Sequence, residues 1–109
     1  MATKKAAKGN SKKATNGKSA RTFVLVRTYS AGVHVGELVE RRGREVDLAN
    51  ARRIWSWKGA NTLHEVSLSG VASGSRVSQP VEAITVLEAI EVIACTPEAR
   101  RVIESVPWA

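Results

Sequence analysis

Apolar and polar residues alternate in several short segments of the chain, and this pattern predicts a domain rich in β-strands. Successive side chains of a strand point to opposite faces, so a period of two indicates a strand with one buried face. Residues 22–29, 33–40 and 45–48 follow this pattern, and the first segment is rich in β-branched and aromatic residues. Gly32 supplies a turn between the first two strands. Gly36 predicts a bulge or a close backbone approach inside the second.

A fourth strand is predicted over residues 52–58, after a bend at residues 49–51, which would complete a four-stranded meander. In an extended chain Arg53, Trp55 and Trp57 share one face, with Arg52 on the other. Either at least one indole belongs to the core, since aromatic side chains bury large areas, or the pair forms an arginine-edged platform for a planar ligand. Both interpretations hold if a bulge turns one indole inward.

The middle of the chain carries a helix signal followed by a loop signal. Thr62 and Glu65 match a capping box, which predicts a short helix over residues 63–71, although a further strand fits the same residues. Residues 67–79 are rich in serine and glycine, which predicts a flexible loop. Such a loop beside the tryptophan strand would act as a lid over a bound ligand.

Residues 81–95 form the longest apolar segment, and their β-branched content predicts two short strands or one kinked strand, although helical spacing also fits. Thr96 as N-cap, Pro97 at the first position and Glu98 in the first turn then predict a C-terminal helix. Trp108 either closes the core or projects as an anchor for a partner. The apolar face of this helix comprises Ala99, Val102, Ile103 and Val106, and its solvent face comprises Arg100, Arg101 and Glu104.

Together these elements predict an α+β fold. We expect a small antiparallel β-sheet or partly open barrel of about five to six strands, with one short middle helix and a C-terminal helix. The chain has 109 residues, 43% of them hydrophobic, which suits a single small domain over residues 22–109. It has one cysteine and neither a signal peptide nor an apolar run of membrane-spanning length. We therefore expect a soluble protein in a reducing cytoplasm, without a membrane partner.

The net charge of +7 lies entirely in residues 1–21, because the ten lysines and arginines of the remaining chain are balanced by its ten acids. This segment is too polar to support a core, so we expect a disordered tail. A lysine-rich arm binds nucleic acid or another polyanion by releasing counterions; the alternative is a solubilising extension without a partner. The cations of this basic arm are Lys4, Lys5, Lys8, Lys12, Lys13, Lys18 and Arg21.

Nine of the ten cations in the body are arginines, which suit bidentate pairing with phosphate or carboxylate and stacking on indole. Three of them, at residues 41–44, would form a phosphate-binding hairpin tip. Alternatively, they pair at the surface with nearby acids such as Glu37 and Glu45. The predicted face for a ligand or partner comprises Arg52, Arg53, Trp55, Trp57, Lys58, Arg41, Arg42 and Arg44.

Candidate catalytic and metal-binding residues are few. His34, His64 and Cys95 show no local signature that links a nucleophile to a base, and their spacing does not fit a zinc site. Cys95 ends an apolar segment, where a buried inert thiol is expected. We therefore predict that the protein is not an enzyme and that it holds no metal and no cofactor.

Two runs, at residues 26–36 and 51–60, resemble a family of small uncharacterised proteins encoded by bacteriophages and prophages. The likeness spans residues 22–95 and leaves out the basic arm. The resemblance implies a setting, which is the cytoplasm of an infected bacterium or a virion, and it implies no particular activity.

Three functions are compatible with this setting. The first is a non-catalytic phage accessory protein whose arm contacts nucleic acid while the neutral body binds a partner, such as a host protein. The second is a counter-defence protein that sequesters a small anionic nucleotide, enclosed by residues 52–57 and the loop near Gly74. The third is a virion component that touches packaged DNA and forms a homo-oligomer through edge strands and Trp108. We expect the first, and we expect self-association in each setting.

Overall fold

The computed structural model describes residues 21–108, which form a six-stranded antiparallel sheet and two helices. The strands are β1 (Phe23–Thr28), β2 (Val33–Arg42), β3 (Glu45–Ser56), β4 (Arg76–Val77), β5 (Val81–Val86) and β6 (Ala89–Ala94), and the helices are α1 (Leu63–Ser69) and α2 (Pro97–Ser105). This architecture confirms the predicted α+β class, with its middle and C-terminal helices. The prediction of a disordered tail falls on residues that lie outside the described part of the chain, except for Arg21.

The longest strand, β3, pairs with β2 along one edge and with both β5 and β4 along the other. The prediction of a separate fourth strand from residue 52 is therefore wrong, because the chain continues through the predicted bend as one strand. A register shift lies there instead, and Asn50 has a φ of 52°. Asparagine tolerates this left-handed conformation better than most residues, so the irregularity is a β-bulge rather than a turn.

Gly36 faces this bulge across the β2–β3 pair. A Cβ atom at Gly36 would lie 3.0 Å from the carbonyl oxygen of Ala49 and 3.1 Å from the Cα atom of Ala51. Only glycine fits such a close backbone approach without displacing the neighbouring strand. The predicted close approach is confirmed, and with the adjacent bulge it bends the hairpin.

The sheet curls because its edge strands β5 and β6 are joined by only two residues. In a flat sheet with the order β5, β3, β2, β1, β6, four strand spacings would separate β5 from β6 by about 19 Å. The chain from Val86 to Ala89 spans at most about 11 Å. The hairpin tip bends over as well, since the Ala89 amide donates to the Arg44 carbonyl at 3.0 Å. β5 and β6 do not pair with each other, so the curled sheet stays open.

Two apolar cores lie on opposite faces of β1. The core under the two helices contains Phe23, Leu25, Val35, Ile54, Val66, Val77 and Ile103. The core inside the curl contains Val24, Val26, Val46, Leu48, Ala51, Val86 and Ala89. Consecutive residues of β1 therefore alternate between the two cores, which makes it a strand buried on both faces.

Both helices begin where the sequence predicts. The side-chain oxygen of Thr62 accepts from the Glu65 amide at 3.3 Å, and that of Thr96 accepts from the Ala99 amide at 3.0 Å. The helical interpretation of residues 63–71 is confirmed over the strand, although α1 ends two residues early. Gly70 ends it at a φ of 83°, and a Cβ atom there would lie 2.7 Å from a side chain of α2.

A buried ion pair ties α2 to β2. Glu37 is 6% exposed, and its carboxylate accepts a hydrogen bond from Nη2 of Arg100 at 2.7 Å. The Arg100 guanidinium also lies over the Phe23 ring, 4.9 Å from the centroid. The prediction that Arg100 faces solvent is therefore wrong, because its long side chain reaches back across the sheet edge while staying half-buried.

The structure of the segments after α1 decides two predictions, one for residues 81–95 and one for residues 67–79. Residues 81–95 form two strands rather than one kinked strand or a helix. Residues 67–79 contain β4, so the prediction of a loop without structure is wrong for part of that segment. β4 forms there because it pairs with the end of β3, with Val77 opposite Ile54, and the Ser78 amide just after it donates to the Arg53 carbonyl at 2.8 Å.

Candidate functional site

Arg53, Trp55 and Arg76 form a strip on the C-terminal half of β3 and the adjoining β4. Ile54 packs into the helix-covered core, so its neighbours Arg53 and Trp55 point to the opposite face. Trp55 is 52% exposed, and the Arg76 guanidinium lies 5.2 Å from its ring centroid. These three residues are the cationic–aromatic strip. An exposed indole beside two arginines can stack on a planar group and neutralise an anion.

Trp57 does not join this strip. The β3–β4 register shifts between Ile54 and Ser56, because these two residues, separated by one residue on β3, pair with adjacent residues on β4. A bulge of this kind interrupts the alternation of faces, and β3 ends directly after it. Trp57 packs, half-buried, against the helix-covered core. The prediction that both indoles share a face is wrong, whereas the interpretation that one of them belongs to the core is confirmed.

Arg52 is a structural residue rather than part of an open ligand face. It is 9% exposed, and its guanidinium donates to the main-chain carbonyls of Ser78, Ile103 and Val106 at 2.8, 3.0 and 2.7 Å. The last two carbonyls lie at the C-terminal end of α2, where helices leave carbonyl groups without internal partners. Arg52 therefore caps α2 from the sheet, which corrects its prediction as a ligand-binding side chain.

The arginines of the β2–β3 hairpin tip are engaged mainly with their own neighbours. Arg42 pairs with Asp47 at 2.9 Å and with Glu40 at 3.2 Å, and the bond to Asp47 raises the pKa of Arg42. Arg41 donates to the Gly43 carbonyl at 2.9 Å. Pairing with nearby acids is thus confirmed for Arg42. Arg44 is exposed, and its side chain makes no ion pair with any residue in 21–108.

Lys58 lies just beyond the strip, beside the serine- and glycine-rich segment. Its amide donates to the Ser75 hydroxyl at 2.9 Å, and its side chain runs along Gly74, whose φ is 93°. The segment therefore packs against the end of β3. Whether it acts as a lid stays a prediction.

A cleft opens between the end of β5 and the turn after β1. Two adjoining cavities of about 310 and 210 Å³ share His34, Arg53 and Ile84 as lining residues. The larger cavity is also lined by Ala31 and residues 85–88, and the smaller by residues of β3 and the β4–β5 link. We refer to these two cavities as the His34 cleft. It lies at the opening of the curled sheet, beside the cationic–aromatic strip.

His34 forms the floor of this cleft and is 3% exposed. It stands directly opposite Arg53 in the β2–β3 pairing, so the two side chains share a face. Its Nε2 atom lies 3.0 Å from the Ala31 carbonyl oxygen, which can only accept, so Nε2 carries a hydrogen. Burial lowers the pKa of His34, and the Arg53 charge lowers it further, against the opposing hydrogen bond to Ala31. In the neutral ring, Nδ1 is then a hydrogen-bond acceptor.

Comparison with known proteins gives a family but no activity. Residues 21–103, most of the chain, match the family described as a domain of unknown function (DUF6948). The chain belongs to this family. The description of DUF6948 names no function, and neither a curated protein nor a solved structure matches the chain.

The remaining predicted site residues of this DUF6948 protein fall into two groups. Arg21 lies 4.0 Å from the Glu37 carboxylate, at the start of the described chain. The other cations of the basic arm lie outside the described residues, and their prediction as polyanion contacts is not tested.

Titratable groups elsewhere in the DUF6948 body do not gather into a further site. Within residues 21–108, no three His, Cys, Asp or Glu side chains come together as a potential metal site. Cys95 is half-buried against the helix-covered core, as broadly expected, and burial raises its pKa to about 11, which favours the protonated thiol. Neither helix in this part of the chain is long and apolar enough to cross a membrane.

The sequence interpretation missed Arg76 as a member of the strip and His34 as the floor of a cleft. Arg76 stood inside a predicted loop, and His34 was considered as a catalytic base or a zinc ligand. No signal in the sequence indicated that His34 is buried, because a polar residue between Val33 and Val35 in an alternating strand is expected on the opposite, solvent-facing side. His34 is 3% exposed because the curl of the sheet covers this face of β2 as well.

Proposed function

We propose that this protein is a non-catalytic accessory binding protein of a phage or prophage, acting in the bacterial cytoplasm. Its basic arm, with Lys4, Lys5, Lys8, Lys12, Lys13, Lys18 and Arg21, contacts nucleic acid or another polyanion. Its body is the interaction module and presents the cationic–aromatic strip. The observation that supports this proposal best is the half-exposed Trp55 ring flanked by Arg53 and Arg76.

The charge distribution of the body supports a role for the strip. The body has no net charge, and its other arginines are largely engaged internally. Arg42 pairs with Asp47, Arg100 with Glu37 and Arg27 with Glu91. Arg53 and Arg76, like Arg44 and Arg101, form no ion pair within residues 21–108, but only these two lie in the strip with Trp55. Positive charge of the body is thus left beside Trp55, where stacking on a base and contact with a phosphate would act together.

The strip and the arm would contribute differently to nucleic-acid binding. A lysine-rich arm contributes affinity without sequence readout, because it neutralises phosphates and releases counterions. An indole contributes to binding only when a base is unstacked and accessible, as in a single strand. We therefore expect the full protein to prefer single-stranded over double-stranded nucleic acid, with the preference coming from the strip.

The decisive experiment is a titration of labelled single-stranded and double-stranded DNA and RNA by the full chain across a salt series. One variant replaces the six arm lysines by glutamine, and another combines Trp55→Ala with Arg76→Gln. The arm variant should lose about four units of salt slope on single strands, following about 0.7 per phosphate contact. The strip variant should lose about tenfold in affinity for single strands and little for duplexes.

A matched control is Arg101→Gln, because Arg101 is exposed on α2, away from the strip. This variant should bind like the unaltered protein. If the arm and strip variants bind every nucleic acid as tightly as the control at each salt concentration, neither surface is the binding site, and if the unaltered protein binds none of them, nucleic-acid binding is not the function.

Two other functions remain as alternatives with specific support. Sequestration of a small anionic nucleotide is favoured by the His34 cleft, which adjoins Arg53. A virion component is favoured by surfaces suited to assembly, namely the exposed apolar edge of β6 and Trp108, whose side chain is 64% exposed. In the titration, the first would give nucleotide binding without polymer binding, and the second would give particles or oligomers.

Self-association through β6 is part of the proposal. In the β1–β6 pair, the Cys95 amide donates to the Phe23 carbonyl at 2.8 Å, and Val24 stands opposite Ala94. In an antiparallel pair, every second residue of a strand points its amide and carbonyl toward the partner strand. Because Cys95 bonds to β1, the amides and carbonyls of Val92 and Ala94 point away from β1. A second copy can pair with this edge, because Val92 of one chain would lie opposite Ala94 of the other. No like charges would then face each other across the seam.

A further inference from the structure

We propose that the His34 cleft binds a small organic anion that also carries a hydrogen-bond donor. The anionic group would meet Arg53, the donor would meet Nδ1 of His34, and the remaining body would lie against apolar residues of β5. The inference deepens the proposed role of the body as an interaction module. It does not depend on nucleic-acid binding by the arm or by the strip.

The size of the cleft limits the ligand to a small molecule. The two adjoining cavities have volumes of about 310 and 210 Å³ and share their central lining residues. Sites for small ligands lie in this range and combine apolar walls with a few convergent polar groups. Ile84 and Val86 supply apolar wall, and the polar groups come from β2, β3 and the residue before β6.

Arg53 is the charge in this cleft that remains available to a ligand. Arg52 also lines the smaller cavity, but its guanidinium is committed to three main-chain carbonyls. Glu88 lines the larger cavity and keeps its negative charge, because its carboxylate only accepts a hydrogen bond from the Ser30 hydroxyl; the anionic group of a ligand would therefore lie at Arg53 and away from Glu88. The Arg53 guanidinium has neither an acceptor nor an ion-pair partner among residues 21–108. An anionic ligand group would fill this position with charge-assisted hydrogen bonds.

His34 requires that the ligand also carry a hydrogen-bond donor, because the ring is nine-tenths buried and only one of its nitrogens has a hydrogen-bond partner. Nε2 donates to the Ala31 carbonyl, which leaves Nδ1 of the neutral ring as an acceptor. Within residues 21–108, no group donates to Nδ1. Buried polar atoms in folded proteins are almost always paired. A ligand with an N–H or O–H group would satisfy this acceptor, whereas a purely anionic ligand would be repelled by its lone pair.

The test is an NMR titration of the full chain with three matched probes. The first, 4-hydroxybenzoate, has both a carboxylate and a hydroxyl donor. The second, 4-methylbenzoate, lacks the donor, and the third, 4-hydroxybenzyl alcohol, lacks the charge. We expect the first probe to bind about tenfold more tightly than either of the others. Its chemical-shift changes should centre on Ala31, His34, Arg53 and Ile84, and the Nδ1 resonance of His34 should move only with donor-bearing probes.

The Arg53→Gln variant separates the two contacts. Arg53 is exposed, so its replacement leaves both cores intact. It should weaken binding of 4-hydroxybenzoate about tenfold and leave binding of 4-hydroxybenzyl alcohol unchanged. Arg101→Gln, on α2, should change neither. Adenosine monophosphate as a fourth probe distinguishes a nucleotide from a simpler acid as the preferred source of the anion.

The outcomes of this test are separable from those of the nucleic-acid titration. The Trp55→Ala, Arg76→Gln variant should retain probe binding, because neither residue lines the cleft. If no probe moves cleft resonances, or if 4-hydroxybenzoate binds the Arg53→Gln variant as tightly as the unaltered protein, the cleft does not bind an anion through Arg53. That result would overturn this inference and leave the strip proposal standing.

Discussion

At the scale of single residues, the burial of His34 should make the stability of the fold depend on pH. Its folded-state pKa lies below the ordinary 6.5, mainly because burial disfavours the charged ring. The charged groups that line the same cleft are Arg52, Arg53 and Glu88. As the pH falls below 6.5, His34 is protonated in the unfolded chain but stays neutral in the folded chain. Proton binding therefore stabilises the unfolded state, and the free energy of unfolding decreases.

We therefore expect the free energy of unfolding, measured with urea, to decrease between pH 7 and pH 5.5. A single histidine contributes at most about 1.4 kcal/mol per pH unit. The His34→Gln variant should show a shallower decrease over the same interval, whatever its stability at pH 7. An equally steep decrease in this variant would mean that another group causes the pH dependence.

At the scale of elements, Arg52 fastens the C-terminal end of α2 to β3. Replacing it by methionine keeps much of the side-chain volume but removes the donors for three main-chain carbonyls. Unsatisfied buried acceptors cost about 1–3 kcal/mol each when water cannot reach them. We expect Arg52→Met to lower the free energy of unfolding by about 2–4 kcal/mol in urea denaturation, given partial solvation of the freed carbonyls.

Arg101→Met is the matched control for this element, because Arg101 is an exposed arginine on the same helix. Its stability should stay within about 0.5 kcal/mol of the unaltered protein. Equal losses in the two variants would indicate that the loss of a positive charge at or near α2, rather than the loss of the Arg52 hydrogen bonds, lowers the stability of the protein.

At the scale of the whole molecule, the open edge of β6 is the surface through which we propose that copies of the chain associate. The side chains of Ile90 and Val92 are exposed there, and β6 contains neither lysine nor proline, which commonly protect an edge. We expect light scattering after size-exclusion chromatography to give twice the monomer mass. Val92→Lys should shift this to the monomer, because a lysine on the edge disfavours pairing of strands.

The control for association is Val81→Lys, an exposed valine on β5 at a distance from the β6 edge. It should remain a dimer. A dimer that survives Val92→Lys but not Val81→Lys would place the interface on β5 instead. A monomer in every case would remove self-association from the proposed function.

The sequence by itself determined the fold class and most of the secondary-structure elements, β4 and the continuous β3 excepted, because the responsible signals are local. The alternation in residues 22–29 and the threonine caps at Thr62 and Thr96 act over a few residues, and each formed as predicted. The close approach at Gly36 was also predictable, since a glycine inside a strand pattern usually marks a bulge or a place where two backbones come close.

Only the tertiary structure decided the roles of the arginines and tryptophans that form the candidate site. A bulge where β3 meets β4 separated Trp57 from Trp55, and the position of α2 engaged Arg52. The His34 cleft exists because β5 and β6 meet across a two-residue link that curls the sheet. These features depend on register between segments distant in sequence, and the pattern of side chains within one segment carries no information about that register.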